Sequence, residues 1–157
     1  MHSKSENSDL TNFNEWEKDV VRDFSNLPLI TMHELVHVQQ SNNYNTVLGN
    51  AIFEGAADFI SELICGAHIN QFIHDLADPQ EEQIWKQFKQ EMYGNNYSNW
   101  IGNGGDENIE IPDLGYYIGY KICESYYDSI EDKKRAVRDI LTIKDWDEFY
   151  LASGYMN

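Results

Sequence analysis

The sequence predicts a mainly α fold, a compact bundle of about six helices, and three observations support this prediction. Apolar residues recur at helical spacing along most of the 157 residues. Residues that typically begin and end helices flank several of these segments. No alternating strand pattern is longer than four residues. At 18.3 kDa and 41% hydrophobic residues, the chain is expected to form one domain over 1–157 with an extensive core.

The predicted elements follow one another along the chain, each with its own local signal. Residues 1–11 are polar and expected to be loose. Apolar periodicity, capping residues or both then predict a series of helices. They are an amphipathic helix over 12–25, a helix over 29–40, a long helix over 47–65 ended by Gly66, a helix from an Asp78 N-cap to about 93, a tyrosine-rich helix over 113–128, a helix over 131–141 capped by Ser129, and a short helix that Asp145 caps and Gly154 closes.

Residues 94–112 form the longest irregular segment of the sequence. They hold four glycines, five asparagines and Pro112. Long ordered loops in compact domains are often functional, so we expect this loop to have a role beyond connection.

The acidity of the chain limits its partners. A net charge of −16 disfavours nucleic acid, because a phosphate backbone would be repelled. The charge fits either solubility or a preference for basic substrates. No apolar run approaches the ~18 residues of a membrane-spanning helix. The first residues lack the charged-then-apolar pattern of a signal peptide, and the sequence leaves open whether a preceding segment carried one. Cys65 and Cys123 are expected as buried free thiols, although the sequence is also compatible with one disulfide.

The stretch His33-Glu34-Leu35-Val36-His37 is an H-E-x-x-H motif and predicts a metal site. Positions i and i+4 lie one above the other on a helix, so both imidazoles can bind one ion. Glu34 is poorly placed to bind that ion, and better placed to take a proton from a zinc-bound water and deliver it to the leaving group.

A second motif, Glu54-Gly55-Ala56-Ala57-Asp58, adds two carboxylates to the predicted metal site. A catalytic zinc typically has three protein ligands, and Glu54 can be the third. Asp58, one turn later, can hold a ligand histidine in place. If the two helices pack antiparallel, the metal lies between them. Zinc is the preferred ion, although manganese and cobalt accept the same ligands.

The tyrosine-rich helix offers donors for an oxyanion. Tyr116 is the first choice and Tyr120 the second, because they share a helix face and neighbouring glycines permit close approach. Aromatic core packing is an equally good explanation of both. His68 and His74 are expected on the surface, and Glu62 in solvent or in a salt bridge.

The two motifs together resemble the gluzincins, the thermolysin-like zinc metallopeptidases. That resemblance implies that Glu54 is the third ligand and that Asp58 orients His33. Three further stretches resemble Zn-dependent proteases related to a gliding-motility lipoprotein of Bacteroidetes-type bacteria, and the resemblance covers most of residues 27–157. The stretches are Phe53–Ile60, Asp113–Lys121, and Asp132–Lys134 with Ser153–Tyr155.

The closer resemblance implies a peptide or protein substrate and slightly favours an extracytoplasmic location, since many such proteins are exported lipoproteins. This sequence shows no lipobox and no predicted β-sheet to pair with an extended peptide. A weaker resemblance, over Glu54 to Phe59, links it to metallopeptidases that cleave repressors.

Three hypotheses follow from the sequence. The favoured one is a zinc-dependent metallopeptidase. The alternative is a catalytically inactive, zinc-stabilised binding or scaffold module. The third, which the ligand spacing disfavours, is a helical domain with an accidental motif. The substrate, the pathway and the oligomeric state do not follow from the sequence.

Overall fold

The computed structural model describes residues 26–41 and 43–156, and this part of the chain is mainly helical and contains no strand. The prediction of a mainly α bundle is therefore confirmed. The helix predicted over 12–25 and the loose residues 1–11 lie outside the described residues. The helices are α1 (Leu27–His37), α2 (Val47–Cys65), α3 (Gln71–Ala77), α4 (Glu81–Glu91), α5 (Leu114–Ser129), α6 (Lys133–Leu141) and α7 (Trp146–Ser153), with a short 3₁₀ helix at Asp78–Gln80.

Helix α2 is the centre of the bundle and is buried along most of its length. The Thr46 side chain begins it by accepting a hydrogen bond from the Gly49 amide at 3.1 Å. Gly66 ends it in the left-handed conformation (φ 74°), as the sequence predicted. Because α2 is apolar on most sides, other helices can cover it all round, and its few polar residues come to lie between helices.

Helices α1 and α2 pack antiparallel. The start of α1 meets the end of α2, where the Cys65 thiol lies 3.9 Å from the Pro28 carbonyl oxygen. The end of α1 meets the middle of α2, where His37 lies 3.3 Å from Glu54. This pairing brings the two sequence motifs to the same interface.

Helix α5 crosses α2 at a contact between glycines. A methyl group at Gly55 would overlap the backbone of Gly119 and Tyr120, and one at Gly119 would overlap the Ala51 carbonyl. The two backbones therefore touch, which glycine alone permits. The close crossing places Tyr116, one turn before Gly119, over the interface of α1 and α2.

Residues 94–112 run between α4 and α5 without an α-helix. Asp113 fixes the end of this loop, because its carboxylate accepts hydrogen bonds from the amides of Gly102 (2.6 Å) and Asn103 (3.4 Å). The Asn103 side chain accepts one in return from the Asp113 amide at 2.8 Å. This reciprocal pair holds the loop against the first turn of α5.

Several local predictions need correction. Asp78 is not a helix N-cap, because its carboxylate accepts the Tyr117 hydroxyl hydrogen bond instead and the α-helix begins at Glu81. Asp132, and not Ser129, caps α6, by accepting hydrogen bonds from two amides of its first turn. Helix α3 was not predicted. Asp145 and Gly154 do begin and end α7 as predicted.

The two cysteines are free thiols, as predicted, and Cys123 is buried. The prediction that Cys65 is also buried is wrong, because its side chain is partly exposed at the end of α2. Within the described ranges, no helix is long and apolar enough to cross a bilayer.

Candidate metal centre

Two histidines one turn apart on α1 begin the site. His33 is 8% exposed and His37 is half-buried, both on the side of α1 that faces α2. Their rings meet edge to face at 4.6 Å, and their Nε2 atoms are 2.9 Å apart. The helical spacing has therefore placed two donor nitrogens side by side, as the motif predicted.

Glu54 completes a three-atom donor group from the opposite helix. Its Oε2 lies 3.5 Å from His33 Nε2 and 3.3 Å from His37 Nε2. All three donor atoms lie within 4.8 Å of one another. Ligands at zinc distances of about 2.1 Å in a tetrahedron stand about 3.4 Å apart, so this group fits a zinc ion.

The charges in the group hold it together. Burial opposes charge on His33, but hydrogen bonds with Asp58 and Glu54 outweigh it and raise the pKa of His33 to about 9. Burial likewise opposes charge on Glu54, but the two neighbouring histidines lower the pKa of Glu54 to about 2. A metal cation bound here would take the place of the His33 proton.

Asp58 contacts the other ring nitrogen of His33. The carboxylate is 1% exposed, and its Oδ1 lies 2.8 Å from His33 Nδ1. Its Oδ2 accepts a hydrogen bond from the Asn70 side-chain amide at 2.7 Å. Since both carboxylate oxygens have a partner, Asp58 is fixed, and it can fix the His33 ring in turn.

Two amides next to the site, those of Gln40 and Asn70, are not among the residues that the sequence predicts. Gln40 Oε1 lies 2.7 Å from His37 Nδ1. Its position three residues after His37 is a helical-contact spacing that could have identified it. Asn70 lies beyond the end of α2, and no spacing rule connects it with Asp58.

The two candidate tyrosines of α5 have different surroundings. The Tyr116 ring is stacked 6.3 Å from the His33 ring. Burial, followed by the charge of Glu54, raises the pKa of Tyr116, so the hydroxyl stays protonated. The Tyr120 hydroxyl instead donates to Glu62 at 2.6 Å. The structure thus brings Tyr116, and not the Tyr120 hydroxyl, to the donor group.

Glu34 lies on α1 directly after His33 and is exposed. Its side chain is not one of the three donors.

The prediction that His68 and His74 lie on the surface is wrong. The His68 side chain is 4% exposed, and His74 is 7% exposed as a residue. Their rings are 4.1 Å apart, and the His74 ring also meets Tyr117 and Tyr120 edge to face. Residues 67–80 fold back over α5 and bury both rings. The apolar periodicity of α2 carries no information about this part of the chain.

Over the described residues, a helical fold that presents two histidines and a glutamate between antiparallel helices is that of a candidate metal-binding protein. A family model described as "Predicted Zn-dependent protease (DUF2268)" matches residues 17–145. The chain belongs to this family. Searches of curated proteins and of solved structures returned no significant match. The link with a gliding-motility lipoprotein stays a prediction.

Proposed function

We propose that this protein is a zinc-dependent hydrolase, a metallopeptidase that cleaves peptide bonds. The observation that carries the proposal is the convergence of His33, His37 and Glu54, with Asp58 held against His33. The family description as a Zn-dependent protease supports the same activity. A resemblance to gluzincins at both motifs supports the same roles for the same residues.

His33, His37 and Glu54 would hold the ion. Zinc bound by this group supplies Lewis acidity, which acidifies water and polarises a carbonyl. Glu34 is the general base: it takes a proton from the attacking water and passes it to the leaving amine. Its exposed position on α1 leaves the carboxylate accessible to water and substrate.

Tyr116 is the residue that donates to the developing oxyanion. Its ring is stacked on the His33 ring, and burial with the charge of Glu54 keeps its hydroxyl protonated, so the hydroxyl can donate a hydrogen bond next to the donor group. Tyr120 is the weaker candidate, because its hydroxyl is bonded to Glu62. The substrate is a peptide or protein and not a nucleic acid, in keeping with the charge of −16. Only the family resemblance favours an extracytoplasmic location.

Metal content on the native chain and on Glu54→Ala tests the site first. We expect about one zinc per native chain after incubation with zinc at neutral pH, and much less in the variant, because a third ligand is lost. A native chain that takes up no metal would overturn the proposal.

Glu34→Gln then tests the chemistry. The variant should keep its zinc and lose cleavage of a peptide library, since the amide cannot accept a proton from water. Glu82→Gln, the same change at an exposed position on α4, is the matched control and should cleave normally. Zinc bound without cleavage by the native chain would favour the alternative, a zinc-stabilised binding or scaffold module.

A further inference from the structure

The side chain of Gln40 joins the two helices of the metal centre. Gln40 lies in the turn after α1, where its backbone amide donates to the Val36 carbonyl at 3.2 Å. The side-chain Oε1 lies 2.7 Å from His37 Nδ1, and Nε2 donates to the Phe53 carbonyl at 2.8 Å. Phe53 directly precedes Glu54, so this one amide connects one metal-binding residue with the backbone beside another.

The Phe53 carbonyl fixes which way the amide points. A carbonyl oxygen only accepts hydrogen bonds, so the NH₂ group of Gln40 must face it. The Gln40 carbonyl must then face His37, and it too can only accept. His37 therefore carries its proton on Nδ1 and presents a lone pair on Nε2, the nitrogen that lies 2.9 Å from His33 Nε2 and can accept a hydrogen bond from it.

The opposite orientation of the amide would prevent metal binding by His37. A flipped Gln40 would set its carbonyl against the Phe53 carbonyl, two acceptors with no proton between them. Its NH₂ group would then donate to Nδ1 of His37, which would leave the proton on Nε2. That tautomer has no free electron pair toward the other two donors.

The Phe53 ring places a second restraint on the His37 ring, in addition to the hydrogen bond with Gln40. The Phe53 ring is stacked on the His37 ring at 4.4 Å and 12°. Stacking fixes the plane of the imidazole, but it does not determine which nitrogen carries the proton. The hydrogen bond with Gln40 determines the protonated nitrogen.

We infer that Gln40 is a positioning residue of the metal centre, which holds His37 in the Nδ1-protonated tautomer with Nε2 directed at the ion. The inference rests on the proposed function, because it assigns Gln40 to the same site. Loss of such a partner typically weakens metal binding roughly 10- to 100-fold.

Zinc titration of three variants tests this assignment, with competition by a chromophoric chelator at neutral pH. Gln40→Met keeps the size of the side chain and removes both hydrogen bonds, so the Kd for zinc should rise roughly 10- to 100-fold. Gln40→Glu keeps an acceptor for His37 but loses the donor to the Phe53 carbonyl, so its Kd should lie between those of the native chain and Gln40→Met. Gln39→Met, the same change at the exposed neighbouring position, should bind zinc like the native chain.

The His37 tautomer gives a readout that a merely structural role would not change. Nitrogen NMR of the metal-free protein, at mildly alkaline pH where an ordinary imidazole is neutral, should show the proton on Nδ1 in the native chain. It should show a mixture of tautomers in Gln40→Met. If Gln40→Met does not fold, Gln40→Lys offers donors only and should move the proton to Nε2.

The outcomes separate the two proposals. If Gln40→Met binds zinc as tightly as the native chain and His37 keeps its tautomer, the role of Gln40 is overturned and the metal centre stands. If the native chain binds no zinc, the proposed function fails, and the tautomer measurement still decides whether Gln40 sets His37.

Discussion

At the scale of single residues, the two α5 tyrosines show how a hydroxyl's partner decides its role. Tyr116 and Tyr120 are one turn apart, and the sequence offered both as oxyanion donors. The Tyr116 ring is stacked on His33, and the charge of Glu54 helps to raise the pKa of its hydroxyl. The Tyr120 hydroxyl donates to Glu62, while its ring packs against Phe59 and His68. We therefore propose Tyr116 as the oxyanion donor, whereas Tyr120 has the surroundings of a structural residue.

Tyr116→Phe should lower kcat of peptide cleavage by roughly 10²- to 10³-fold, because one preorganised donor to the oxyanion is removed. The zinc content should not change, since the hydroxyl is not one of the three donor atoms. Steady-state kinetics together with metal analysis measure both quantities. Tyr120→Phe is the matched control, and its kcat should stay within a few-fold of the native value. Equal losses in the two variants would contradict the assignment of Tyr116.

At the scale of elements, the geometry of the site depends on how closely α5 approaches α2. The approach is set by Gly55 and Gly119, at which the two backbones touch. Gly55 stands directly after Glu54, so any separation of the helices would also move Tyr116 away from this carboxylate. Gly55 therefore contributes to the geometry of the candidate metal centre through packing, although it has no side chain.

Gly55→Ala should destabilise the fold by about 1–3 kcal/mol or more, because the added methyl group meets backbone atoms that cannot move aside. Urea denaturation gives the free energy of unfolding. Gly105→Ala is the matched control: a methyl group there meets nothing within 4 Å. We expect the control to change stability by less than about 0.5 kcal/mol. A native-like free energy of unfolding for Gly55→Ala would show that α5 does not approach α2 so closely.

The elements that the sequence predicted well are those whose signals are local. The bounds of α2 and its Gly66 end follow from continuous apolar residues and one left-handed position. The motif spacing on α1 likewise follows from the helical repeat alone. The Asp78 N-cap failed because a distant hydroxyl, that of Tyr117, takes the carboxylate. Asn70 and the burial of His74 also depend on how the chain returns over α5, which only tertiary packing determines.

At the scale of the whole molecule, a strongly acidic chain contains a histidine that folding keeps neutral. His74 is 7% exposed and packed among aromatic rings. Burial, together with the nearby charges of His68 and Lys121, lowers the pKa of His74 from 6.5 to about 3. In the unfolded chain the same imidazole is protonated below its ordinary pKa of about 6.5. The unfolded state therefore binds one more proton than the folded state over this interval.

The sign of the resulting pH dependence follows from linkage. Because the folded-state pKa of His74 is the lower one, its contribution to stability is unaffected above about pH 6.5 and becomes more unfavourable as the pH falls toward 3. One proton corresponds to about 1.4 kcal/mol per pH unit. His74→Phe keeps an aromatic ring and cannot be protonated, so its free energy of unfolding should fall less steeply between pH 6.5 and 4.5 than that of the native chain.

Urea denaturation of the metal-free proteins at several pH values in this interval measures both slopes, and chelator is present throughout so that loss of zinc does not contribute. His2 is a histidine outside the described residues, and His2→Phe provides the control for removing an imidazole as such. Parallel slopes for the native chain and His74→Phe would mean that His74 is protonated in the folded state and that its ring is not buried against α5. A shallower slope for His74→Phe alone would establish that this packing makes the fold sensitive to acid.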